Sequence, residues 1–163
     1  MAALTTSEQI LVRMLTVKFD EILGVMTQLP ENLLNEKLPV PRSNSPVQIL
    51  VHCCGMMRRW SSTVNLGIPI ARNRDEEFTI ELTRGEALAA AHLAREHFVE
   101  DLKQTNMQAP PRAIPEGRES EIWLSTCQGV LFHVHEEFCQ HLGQLEITRD
   151  LLSSTHSATN QGR

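Results

Sequence analysis

No block or stripe of lysine and arginine occurs in this sequence, whose 15 basic residues are outnumbered by 20 acidic ones. A formal net charge of −5 offers no electrostatic footprint for a phosphate backbone, so nucleic acid is not an expected partner. No apolar run approaches the ~18 residues that a membrane-spanning helix needs, and the N-terminus has no charged region leading into an apolar core. We therefore expect neither membrane insertion nor secretion by a signal peptide, and place the protein in the cytoplasm. The four cysteines, Cys53, Cys54, Cys127 and Cys139, lack the spacing of a zinc knuckle. Two of them are adjacent, where a disulfide is rare, and reduced cytosolic thiols are the expectation. Strand-period alternation does not persist, and there is no internal repeat. The stretches Thr79-Ile80-Glu81-Leu82 and Ile122-Trp123-Leu124 are too short and isolated to imply a sheet. Tyrosine is missing altogether, which bears little on function.

What is present is helical periodicity. A chain of 163 residues fits one domain with a substantial core. Its first helix is expected from about Thr6 to Thr27, where Thr5 and Glu8 form a capping-box pattern and Leu11, Leu15, Ile22 and Met26 form an apolar stripe. Ser45-Pro46-Val47-Gln48 opens a second, with serine as N-cap, proline at the first helical position and glutamine three after the cap. That helix runs through Trp60 to a stop near Gly67. A third starts at Thr83-Arg84-Gly85-Glu86 and reaches about Lys103. The fourth spans about Thr126 to Leu152. Residues 28–44 and 104–122 are proline-bearing links long enough to cross the molecule rather than turn tightly. The expected architecture is all-α, a four-helix bundle with long crossover connections over residues 1–153. The Ser/Thr/Asn/Gln/Gly tail, 154–163, is expected to be disordered.

The chemistry concentrates in His133-Val134-His135-Glu136-Glu137-Phe138-Cys139-Gln140-His141. On a helix, His133, Glu137 and His141 follow one another at intervals of four, each step climbing about 6 Å on nearly the same face. Neighbours in that series can share a cation. The outer pair, about 12 Å apart, cannot at ligand bonds near ~2.1 Å. The natural pair is Glu137 with His141, or His133 with Glu137, and His52 is the leading candidate for a third ligand. Val130, His133, Glu137, His141 and Leu145 make one stripe, apolar at both ends and polar in the middle. A carboxylate there must be paired, bound to a cation or open to an aqueous pocket. His133 is better cast as a neighbour of the metal, hydrogen-bonding substrate or Glu137, than as a ligand. His135 and Glu136 project to other faces, His92, Glu96 and His97 read as surface charge, and Cys53 reads as core.

Two segments carry a family resemblance. Ser45-Pro46-Val47-Gln48-Ile49-Leu50-Val51-His52 resembles the second-helix signature of the DinB/YfiT-like metalloenzymes, and the stretch from His133 to Gln144 is similar to their last-helix motif. Many members have two histidines four apart on that helix. Here the first is Glu137, as in the mycothiol-dependent branch that includes maleylpyruvate isomerase and the mycothiol S-transferases. Asn73-Arg74-Asp75-Glu76-Glu77-Phe78 resembles a loop of that branch. The resemblance implies a four-helix bundle, often a homodimer, with a divalent metal, zinc before nickel, held by His52, Glu137 and His141. It also implies a low-molecular-weight thiol as cosubstrate. Arg74 and Arg149 are our candidate anchors for such a thiol where it is anionic.

The expected function is metal-dependent transfer of a small thiol, mycothiol being one candidate, to an electrophilic small molecule. The alternatives are a metal-dependent hydrolase of the same fold and a non-enzymatic metal-binding stress protein. One bundle hosts several reactions, so fold does not decide among them.

Overall fold

Three reciprocal caps organise the chain. In the computed structural model, which describes residues 4–161, they set the starts of α1 (Thr6–Gln28), α2 (Pro46–Arg58) and α3 (Arg84–Gln104). Thr5, Ser45 and Thr83 each accept from the backbone N–H three residues on, while Glu8, Gln48 and Glu86 reach back to the cap N–H. Each box satisfies two helix-end groups that would otherwise lack partners. α4 covers Cys127–Gln161. Among the described residues there is no strand, and no helix is long and apolar enough to cross a membrane.

α1 packs most extensively on α4 and α2 on α3, with further contacts between α2 and α4 and between α1 and α3. The order around the bundle is therefore α1, α4, α2, α3. Consecutive helices α1 and α2 lie across one diagonal, α3 and α4 across the other, and the two long proline-bearing links make those crossings. The stripe read from α1 is buried, and so are Val130, Val134, Phe138, Leu145 and Leu152 of α4. Phe138 joins the layers, with ring centroids 5.4 Å from Phe19 and 6.3 Å from Phe98. Arg95 of α3 makes a two-point ion pair with Asp20 of α1.

Two features depart from expectation. The helix that opens at Pro46 does not continue as α-helix to Gly67; from Arg59 to Leu66 it is π-helical, ending at Gly67 with φ 71°. Arg58 and Ser61, at the change of pitch, both donate to the buried carboxylate of Asp101 on α3. Their hydrogen bonds anchor the altered turn. The second concerns α4, which runs past Leu152, where the sequence pattern ends it, as far as Gln161. Composition predicts a poor core there, but extending an existing helix adds a hydrogen bond per residue without a new nucleus. The short Ile122–Ser125 stretch is a 3-10 turn leading into α4.

Candidate metal centre

His52 lies on α2 between Ile49 and Met56, whose side chains are in the core, so the helix carries its imidazole inward. Glu137 and His141 lie one turn apart on the facing surface of α4. The three residues each offer one ligand atom, all within 4.8 Å of one another. A tetrahedral ion with ~2.1 Å bonds needs donors about 3.4 Å apart, so side-chain adjustments of around an ångström would close the site. The rings of His52 and His141 meet edge to face at 4.9 Å, and Glu137 Oε2 is 3.6 Å from His141 Nε2. Two imidazoles and one carboxylate are a donor set that suits zinc or nickel.

The back of each imidazole is already held. His52 Nδ1 lies 2.9 Å from Glu77 Oε2, so an Nδ1–H donating to the carboxylate leaves Nε2 free to face the site. Glu77 is itself gripped by Arg72, with Nε at 2.5 Å and Nη2 at 2.8 Å. Burial opposes the charge on Glu77, yet its hydrogen bonds from Arg72 and His52 hold its pKa below the usual carboxylate value. On the other ring, His141 Nδ1 lies 3.1 Å from Gln144 Oε1, one turn along α4. Glu77 was not singled out in the sequence, appearing only within the loop resembling the mycothiol-dependent branch. No local pattern points from it to His52, which is 25 residues away.

Glu137 and His141 also shape one another. The interaction with His141, at 3.6 Å, lowers the Glu137 pKa against the opposing effect of burial. Burial opposes protonation of His141, but Glu137 and Gln144 outweigh it and raise the pKa.

A family model described as mycothiol S-transferase matches residues 10–154. The chain belongs to the mycothiol S-transferase family. No curated protein matches it.

In this member of the mycothiol S-transferase family, the three donors lie beside a cavity of about 320 Å³ lined by His52 and Glu137, with His133 next to them. The polar middle of the α4 stripe thus faces an opening rather than apolar core. His133 lies 3.9 Å from Glu137 through Nε2 and stacks on Trp123 at 4.0 Å, a neighbour of the three donors. Trp60, delivered by the π turn, meets both rings edge to face, at 5.3 Å from His133 and 5.1 Å from Trp123. Arg74 lines the cavity, as do Arg59, Arg72 and Arg118, none of which was picked out in the sequence. Arg149 does not: its guanidinium folds onto Asp150 at 2.7 Å, two turns beyond His141 and about 12 Å further along the axis.

The cysteines offer no activated thiol beside the donors. Cys53 is fully buried, and burial pushes its pKa well above the usual thiol value; burial also pushes Cys54 up to about 12. All four are unpaired.

Proposed function

We propose that this chain transfers a low-molecular-weight thiol, mycothiol by the name of its family, to an electrophilic small molecule, with a divalent metal held by His52, Glu137 and His141. The observation that carries the reading is the convergence of three donor atoms beside an arginine-lined cavity, with both imidazoles oriented from behind. With one carboxylate against its charge, a divalent cation there would stay net positive and favour thiolate over thiol at an open coordination position. Glu77 and Gln144 keep each Nε2 turned to the site. His133 and Trp60, with Trp123 packed on both rings, wall the space where the electrophile must come within reach of sulfur. In the reaction a sulfur lone pair forms the S–C bond, the bond to the leaving group breaks, and the thiol proton passes to solvent.

Zinc is the first choice of metal and nickel the second, and the active form in this reading is a cytoplasmic homodimer. The test begins with the metal content of freshly purified protein and its loss in His52→Ala. Conjugation of a thiol-reactive dye is then followed across a thiol panel, with and without chelator. Activity that needs metal, and that persists below the pH at which the free thiol ionises, is the expected result. Equal rates in chelated and metal-loaded protein would refute the proposal and leave a metal-binding scaffold ahead.

A further inference from the structure

Three of the four guanidinium groups on the cavity wall lack a carboxylate partner. Arg72 is committed to Glu77. Among the described residues, Arg59, Arg74 and Arg118 form no ion pair. Arg118 lies over both indoles, 5.7 Å from the Trp60 ring and 5.9 Å from that of Trp123, and Arg59 lies 5.8 Å from Trp60. Cation–π contact holds these groups in place without neutralising them. The carboxylates on the same wall are Glu116 and Glu137, and Glu137 is engaged with His133 and His141. The rim of the cavity is therefore positive beside a flat indole surface, a setting that favours a planar anion.

We propose that the electrophile taken by this site carries a carboxylate, which Arg118 and Arg74 bind while its planar body lies in the cavity beside Trp60. This rests on the transferase reading and adds the class of its second substrate. The thiol is the other source of negative charge, but in the transferase reading its reacting sulfur belongs at the three donors rather than on the arginines. With an aryl chloride the step balances: sulfur bonds to the ring carbon, chloride leaves with the C–Cl electrons, and the thiol proton goes to solvent.

Trp60 lines the cavity and Trp123, the only other tryptophan of the chain, packs edge to face on it, so their fluorescence reports on this cavity without any turnover. The metal-loaded protein is titrated with 4-nitrobenzoate and with its methyl ester. Charge-assisted hydrogen bonds at a solvent-exposed rim should make the carboxylate bind roughly tenfold more tightly, and Arg118→Gln with Arg74→Gln should erase the difference. In the second arm, 4-chloro-3-nitrobenzoate and its methyl ester serve as electrophiles. Each enzymatic kcat/KM is divided by the uncatalysed rate with the same thiol, and the acid should keep a comparable advantage. Equal affinities for acid and ester overturn the inference while leaving the transferase reading intact. A carboxylate preference untouched by the arginine changes means the acid binds the metal, and overturns it too. Competition of 4-nitrobenzoate with the thiol, rather than with the electrophile, assigns the rim to the thiol and likewise overturns it. Acid-selective binding with no conjugation by any thiol would instead sink the transferase reading and keep the anion site.

Discussion

Replacing Gly55 by alanine sets two physical effects against each other. Gly55 lies inside α2, where alanine is the better helix former by about 1 kcal/mol, so propensity alone says the change should stabilise the protein. Packing says otherwise. A Cβ at Gly55 would lie 2.2 Å from Glu77 Oε1 and 2.9 Å from Arg72 Nε, where ordinary contact starts at 3.4 Å. The carboxylate must retreat by about 1 Å, and it is the same carboxylate that accepts from His52 at 2.9 Å. A retreat of that size takes the bond out of hydrogen-bonding range. Forcing a methyl group into a filled space costs ~1–3 kcal/mol, enough to cancel the propensity gain or reverse it.

The more telling consequence is at the metal. Gly55 contributes no donor atom, yet losing the partner of a ligating imidazole costs roughly 10–100-fold in metal affinity. Competition with a chromophoric chelator measures that, and circular dichroism checks that helix content is kept. Gly24→Ala in α1 is the control, because a Cβ there meets nothing within 4 Å. It should raise stability by up to about 1 kcal/mol and leave the metal affinity alone. A folded Gly55→Ala protein with wild-type metal affinity would refute the chain of reasoning from Gly55 through Glu77 to His52.

Three further outcomes are expected. Glu137→Gln keeps the shape but removes the charge, so inductively coupled plasma analysis should find more metal lost than in His133→Ala; the reverse order would mean the wrong pair of α4 residues has been chosen. In metal-free protein, the raised pKa of His141 gives stability that is complete below about 6.5 and is lost as pH rises through its folded value. The lowered pKa of Glu137 gives stability that is complete above about 4.5 and is lost as pH falls through its folded value. The melting-temperature advantage of wild type over Glu137→Gln should therefore peak between those two values, and a flat difference across pH 4–8 would contradict the pairing. Ser45→Ala removes a fully buried N-cap hydroxyl and leaves the Gln48 backbone N–H without its acceptor, so chemical denaturation should show a loss of ~1–2 kcal/mol, with an unchanged midpoint counting against the cap.

How far the sequence could be read tracks how local each signal is. A capping box is complete within four residues, and all three boxes were legible, together with the starts of the helices they open. His52, Glu137 and His141 were legible because helical spacing puts each on a definite face, and the resemblance named the same three. Glu77 was not, because its role depends on a loop folding back over Gly55, and nothing within a few residues of it encodes that contact. Arg149 misled for a related reason. It sits on a helix next to the motif, and proximity in sequence suggested a shared site that the rise of the helix does not permit.

The cavity wall was the least legible part, and the π turn explains much of that. A helical wheel with 3.6 residues per turn keeps its phase only while hydrogen bonds run from i to i−4. From Arg59 onward they run one residue further, each turn admits an extra residue, and the projection loses its bearing just where Trp60 begins the aromatic wall. Arg118, on the same wall, and Trp123, which packs on Trp60 and His133, come from the link that crosses to α4. Gly129 on α4 lets this link approach so closely that a Cβ there would lie 2.2 Å from the Trp123 carbonyl oxygen. The donor atoms are thus set by regular helix geometry, which a pattern can reveal. The surface that would choose a substrate is set by an irregular turn and a long link, where only the fold brings the pieces together.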